Sequence, residues 1–157
     1  MNPRPDPALA LSRWFLAPRA LVFGAWTDPA RAALWWGPRG FVTLFCTMDP
    51  RPGGAWRQGM RAPDGTERVK RGIYREVHPP ERLAFTYGWE QPDGSVLFDT
   101  LVDLRFTEEA GGTRLLLRQA PFPSEDTRDS HVAGWSSCLD RFADYLADVT
   151  RNRGDRP

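Results

Sequence analysis

The spacing of apolar residues divides this chain into a strand-rich part and a helical end. Apolar and polar residues alternate over residues 8–17, which predicts a strand. Helical spacing over residues 18–26, and again over 29–36, predicts two short helices. Thr27 or Asp28 is suited to cap the second of them.

Six further segments alternate between apolar and polar residues and are separated by turns rich in Gly and Pro. They lie at residues 41–48, 55–61, 68–77, 82–90, 96–107 and 113–122. Sequential strands joined by short turns predict an antiparallel meander.

The period changes again near the end of the chain. One apolar stripe at three- and four-residue steps predicts a long helix from about Thr127 to Val149, capped by Asp126 or Thr127. The stripe consists of Val132, Trp135, Leu139, Phe142, Leu146 and Val149.

A single antiparallel sheet needs a cover for its apolar face, and the long helix is the only predicted element with enough length. We therefore predict an α+β fold in which a curved antiparallel sheet of about seven strands wraps on the C-terminal helix. The two short helices near the N-terminus close one end. We expect one domain over residues 8–149, with flexible tails at residues 1–7 and 151–157.

The charge balance argues against several classes of partner. The 157 residues carry a net charge of +1, so no strong field favours nucleic acid or an anionic membrane surface. No segment reaches the roughly 20 apolar residues of a membrane span, and the N-terminus lacks the apolar region of a signal peptide. We expect a cytoplasmic protein with no membrane and no nucleic acid among its partners.

The spacing of Cys and His residues does not indicate a metal site or a catalytic nucleophile. Cys46 and Cys138 lie far apart, and we interpret them as buried thiols. His78 lies in a predicted surface turn, and His131 has no carboxylate partner that its spacing would reveal. We expect no catalytic residue, no metal and no cofactor.

Aromatic residues from several predicted elements are the candidates for a binding site. They line an apolar cavity if they converge beneath the long helix, and they simply fill the core if they do not. Gly134 leaves space beside Trp135, and His131 lies one turn before Trp135, where it either orients a ligand or hydrogen-bonds near the helix start. The candidate cavity-lining residues are Trp36, Trp56, Tyr87, Trp89, His131 and Trp135.

Charged residues crowd the segment 68–77. Arg71 and Arg75 fall on one strand face with Ile73, and we expect each charge of this segment to be exposed to solvent. Lys70 is the only lysine among 21 basic residues, which we interpret as the base composition of a GC-rich bacterium.

Four motifs, each a turn or helix start beside a bulky aromatic residue, occur in an order that is typical of one family. They are Ala25-Trp26-Thr27-Asp28-Pro29, Trp35-Trp36-Gly37-Pro38-Arg39-Gly40-Phe41, Asp49-Pro50-Arg51-Pro52-Gly53-Gly54-Ala55-Trp56 and His131-Val132-Ala133-Gly134-Trp135. From Leu9 to Val149 the chain resembles the activator-of-heat-shock-protein-90-ATPase homologues, a branch of the START-like superfamily. This resemblance implies the helix-grip form of the predicted fold and a cavity between helix and sheet.

The family shares a cavity rather than one reaction, so three functions stay open. The first is binding of a small apolar or aromatic ligand in the cavity. The second is a co-chaperone-like module that contacts a protein partner or a second copy of the chain. The third is a cyclase or hydrolase acting in the cavity. We rank ligand binding first, because no acid–base pair is evident and we do not expect the additional N-terminal domain of the eukaryotic co-chaperones in this chain.

Overall fold

Seven strands form one antiparallel sheet that holds a single long helix. The computed structural model describes residues 6–154, and the parts of the predicted tails at residues 1–5 and 155–157 lie outside that range. The strands are β1 Leu9–Phe15, β2 Val42–Met48, β3 Ala55–Arg61, β4 Glu67–His78, β5 Arg82–Glu90, β6 Val96–Glu109 and β7 Gly112–Ala120; the helices are α1 Arg19–Thr27, α2 Pro29–Ala32 and α3 Glu125–Gly154. The strand order is β1-β7-β6-β5-β4-β3-β2, and each neighbouring pair is antiparallel. The predicted α+β helix-grip fold is confirmed.

The second short helix is shorter than the sequence predicts. Asp28 caps it, since the Ala30 amide donates to the Asp28 side chain at 3.0 Å. The helix ends at Ala32, and the chain then turns so that Trp35 and Trp36 both enter the core. The sequence pattern at residues 33–36 is helical, and the turn there is decided by the packing of both indoles.

The long helix starts two residues earlier than predicted and continues further. Ser124, rather than Asp126 or Thr127, is its cap, because the Thr127 amide donates to the Ser124 hydroxyl at 3.1 Å. The helix runs to Gly154, so residues 151–154 of the predicted tail are helical. Among the helices of the described chain, none has the length and hydropathy needed to cross a membrane.

An aromatic cluster joins the helices to each other. The Trp26 ring lies 4.7 Å from the ring of Trp35, 6.1 Å from Trp36, 5.9 Å from Trp135 and 5.9 Å from Phe142, measured between centroids. These separations are those of packed aromatic pairs. The cluster fixes α1, the turn after α2 and α3 as one body against the sheet.

A bulge interrupts the pairing of β5 with β6. Tyr87 pairs with Thr100 and Trp89 pairs with Leu97, so three steps along β6 face two steps along β5. Phe98 lies inside this interval with a φ of 58°, in the left-handed region that residues other than glycine rarely adopt. The bulge places Phe98 at the space between the sheet and the start of α3.

Candidate functional site

A pocket of about 450 Å³ lies between the first turns of α3 and the inner face of the sheet. This volume falls within the range of small-molecule sites. Aromatic rings from the turn after α2, from β5, from β6 and from α3 form most of its wall. Five of the six predicted candidates lie on that wall: Trp36, Tyr87, Trp89, His131 and Trp135.

Trp56 is the predicted candidate that lies behind the wall. Its side chain is only 1% exposed, and its ring lies 4.9 Å from Trp36 and 5.7 Å from Tyr87. Its indole N–H donates to the backbone oxygen of Thr86 at 3.1 Å. Strand alternation assigns Trp56 to the inner face of the sheet but does not say how deep in the core the ring lies.

His131 uses both ring nitrogens within the protein. The Trp89 indole N–H donates to Nε2 at 3.2 Å, so Nδ1 carries the proton and donates to the backbone oxygen of Thr127 at 2.9 Å. Burial lowers the pKa of His131, which favours this neutral form. His131 therefore offers a pocket ligand its ring surface, and neither nitrogen is free to act as a base.

A buried hydrogen-bonded chain holds Trp135 in place. The Trp135 indole N–H donates to Gln119 Oε1 at 2.7 Å, Gln119 Nε2 donates to the Thr100 hydroxyl at 2.8 Å, and that hydroxyl donates to the Tyr87 backbone oxygen at 2.8 Å. Gln119, which the alternation of β7 directs inward, is thus satisfied as a buried amide must be. The chain fixes the orientation of one indole on the pocket wall.

Lys70 is the candidate that the sequence interpretation missed, and the expectation that its charge is exposed is wrong. The residue is 2% exposed and lies on the pocket wall. Its Nζ lies 4.1 Å from the ring centroid of Trp36, 5.4 Å from that of Tyr87 and 5.9 Å from that of Trp135. Burial lowers the pKa of the amine to about 7, because the apolar surroundings disfavour the ammonium form.

A signal for Lys70 was present in the sequence. Lys70 shares its strand face with Gly72 and with Tyr74, which is buried, whereas Arg71 and Ile73 point to the opposite face. Assigning the whole charged segment to solvent ignored this alternation. The same alternation shows that a cation occupies a core position.

The charged groups on the pocket wall are Lys70, Arg68 and Asp126. The Arg68 guanidinium lies 4.8 Å from the centroid of Trp89, and Asp126 is exposed in the first turn of α3. Among the described side chains of residues 6–151, none of the three has an oppositely charged group at salt-bridge distance. The wall therefore carries one guanidinium, one carboxylate and an amine that is about half protonated at pH 7, in a mostly aromatic site.

Cys138 also lies on the wall, and it is not suited to act as a nucleophile. Burial raises the pKa of its thiol, and its sulfur accepts from the Gly37 amide at 3.4 Å. In the part of the chain that the structure describes, His, Cys, Asp and Glu form no group of three or more that would hold a metal ion.

Solved structures with the same architecture come from several organisms. The AHSA1 protein of Silicibacter pomeroyi has a TM-score of 0.82 and 28% identity, over 90% of this chain and 98% of that one. A Chromobacterium violaceum protein has a TM-score of 0.81 and 26% identity, over 88% and 96%. The AHSA1-like protein of Aeromonas hydrophila has a TM-score of 0.76 and 27% identity, over 92% and 94%.

The sequence matches no curated protein. The family model described as Activator of Hsp90 ATPase homolog 1-like protein matches residues 16–147, which is most of the chain. The chain therefore belongs to this family.

Proposed function

We propose that the protein binds a small apolar or aromatic ligand in the pocket beneath the start of α3. The observation that carries this proposal is a space of about 450 Å³ with an aromatic wall, in a protein whose core is otherwise filled by large side chains. Membership of the family suggests ligand binding or a co-chaperone-like contact, and the pocket favours the first.

The chemistry of the wall suits a flat, apolar molecule. Trp36, Tyr87, Trp89 and Trp135 offer stacking surfaces, and the buried hydrogen bonds of Trp135 keep one of them in a fixed orientation. Phe98 adds a further ring at a backbone conformation that costs about 1–3 kcal/mol and occurs preferentially at functional sites. These features support recognition by shape and stacking.

Gly134 offers a direct test, because a side chain built there enters the pocket. It lies on the pocket wall, and a Cβ at this position has no neighbour within 4 Å. Gly134→Leu is expected to fill the pocket and to preserve α3, since leucine is a better helix former than glycine. Ala133→Leu adds the same side chain at the neighbouring exposed position, which does not line the pocket, and is the matched control.

The probe is the neutral fluorophore N-phenyl-1-naphthylamine. We expect saturable binding with increased probe fluorescence in the wild type and in Ala133→Leu, and its loss in Gly134→Leu. Equal binding in Gly134→Leu would show that the probe lies elsewhere. A wild type that does not bind this probe or related aromatic compounds would refute the proposed function.

A protein partner is the second candidate function, and the edge strand β2 is the observation that favours it. Val42, Leu44 and Phe45 are exposed on β2, Val42 by 56%, and the strand ends the sheet. An exposed apolar edge strand is a template for pairing with another chain. Sedimentation of the wild type and of Val42→Lys tests whether β2 joins two copies, and a monomer in both samples would exclude that contact.

A further inference from the structure

One buried amine on the pocket wall is a donor without an acceptor. Lys70 Nζ makes no hydrogen bond to any described group of residues 6–151. The neighbouring Trp36 indole N–H also lacks an acceptor, but its nitrogen has almost no accessible surface, so it is not a donor for a pocket ligand. The two side chains are in contact, since Nζ lies 4.1 Å from the Trp36 ring centroid. Both belong to residues of the pocket wall.

A buried ammonium normally has an anionic or hydrogen-bonding partner, because it has lost the solvation of water. Three aromatic faces attract the Lys70 charge, but a ring face does not replace an oxygen acceptor. An apolar side chain would fill this core position without that difficulty. The fold alone therefore does not explain a lysine here.

Among the described side chains of residues 6–151, no carboxylate takes this role. Asp126, the only carboxylate on the wall, is exposed in the first turn of α3 and makes no salt bridge with Lys70. The second cation of the wall, Arg68, adds to the positive charge near Trp89. The missing acceptor is one that a ligand can supply.

We propose that the ligand is an aromatic carboxylic acid, and that Lys70 Nζ donates to its carboxylate. This inference rests on the proposed function, because it names the chemical class of ligand for the same pocket. The aromatic body stacks on Tyr87 and Trp135 while the carboxylate lies at the inner wall. Charge-assisted hydrogen bonds in an apolar site give such an acid its preference over a neutral analogue.

The test compares two probes of one shape, 2-naphthoate and its neutral amide 2-naphthamide, by calorimetric titration. We expect the wild type to bind the carboxylate about ten- to a hundredfold more tightly than the amide. Lys70→Met is expected to lose this preference and to keep the affinity for the amide. Arg71→Met removes a charge from the next residue on the opposite face of β4, where Arg71 contacts Glu90, and is expected to retain the preference.

Each outcome separates this inference from the proposed function. If the wild type binds the amide as tightly as the carboxylate, or if Lys70→Met keeps the preference, the inference is overturned and ligand binding stands. If neither naphthalene probe nor N-phenyl-1-naphthylamine binds, the proposed function fails as well. Circular dichroism tests whether each variant is folded. If Lys70→Met does not fold, Lys70→Gln takes its place.

The wild type alone gives an independent measurement. The carboxylate prefers the ammonium form of Lys70, so its affinity is expected to fall by up to about tenfold per pH unit above pH 7, with proton uptake on binding, while the affinity for the amide stays constant. Burial lowers the pKa of His131 and raises that of Tyr87 and of both cysteines, so these groups are neutral where Lys70 titrates. An affinity for the carboxylate that does not change with pH would count against Lys70 as its partner. The ionisable groups around Lys70 are Arg68, Tyr87, Asp126, His131, Cys46 and Cys138.

Discussion

Burial lowers the pKa of the Lys70 amine from its ordinary 10.5 to about 7, and this links the stability of the whole fold to pH. Between these two values the unfolded chain holds a proton that the folded chain does not. The free energy of unfolding therefore rises with pH in this window. Below pH 7 both states are protonated and the full cost of the buried charge is present, and above 10.5 neither state is protonated and the cost vanishes.

We expect this cost to appear as a difference between the wild type and Lys70→Met. The variant is expected to be the more stable protein at pH 7, and its advantage is expected to shrink by about 1 kcal/mol per pH unit as the pH rises. Urea unfolding of both proteins at several pH values measures the difference. Cys46, with a pKa raised to about 11, and Cys138 have the opposite effect above their ordinary pKa of 9, and Lys70 perturbs both thiols, so the two proteins are compared between pH 7 and 9. A difference that is independent of pH would show that Lys70 is solvated.

The sequence could predict most residues of the pocket wall but not its electrostatics. Large aromatic residues on inward strand faces and on the helix stripe identified five positions on the wall. Alternation gives the face of a residue and not its depth, which is why Trp56 was placed on the wall. Lys70 was missed because a single lysine in a charged segment was interpreted as a solvated group.

The start of α3 forms one edge of the pocket, and its cap is a specific hydrogen bond. Ser124 accepts from the Thr127 amide at 3.1 Å. Ser124→Ala is expected to lower the free energy of unfolding by about 1 kcal/mol, the usual effect of removing such a cap. Ser130→Ala, at an exposed position in the same helix, is the control, with an expected change of about half a kcal/mol or less. Denaturant unfolding measures both, and equal effects would assign the cap to another residue.

At the scale of elements, the period of the apolar residues predicted every strand and helix. It did not predict the bulge in β6 or the residue that caps α3, because these depend on strand pairing and on single hydrogen bonds. Alternation and turn residues located all seven strands to within a few residues. The bulge at Phe98 has no counterpart in the pattern, since one extra residue in β6 follows from pairing with β5. The cap at Ser124 was missed because several polar residues precede α3, and the pattern alone does not choose among them.

At the scale of the molecule, the sheet, the helices and the pocket share one aromatic core. The four motifs that carried the family resemblance contribute Trp26, Trp35, Trp36, Trp56 and Trp135, all buried. Family membership could be predicted from the sequence for this reason, because the buried tryptophans that stabilise the fold also belong to the four motifs. The ligand is not encoded in the same way, because many apolar molecules fit a wall of rings.

Trp26 lies where α1, the turn after α2 and α3 meet, so its removal tests whether the molecule unfolds as one unit. Trp26→Ala is expected to lower the free energy of unfolding by about 3–5 kcal/mol, as for other buried large aromatic residues. Trp14→Ala is the matched control, because Trp14 is 38% exposed on β1 and its indole N–H donates to the backbone oxygen of Glu109 at 2.7 Å. Trp14→Ala is expected to lower the free energy of unfolding by about 1 kcal/mol. Denaturant unfolding, followed by both fluorescence and circular dichroism, measures the two variants. Coincident transitions with a much larger loss for Trp26→Ala fit one cooperative core, whereas separate transitions, or similar losses for both, would show that the helices and the sheet are stabilised independently.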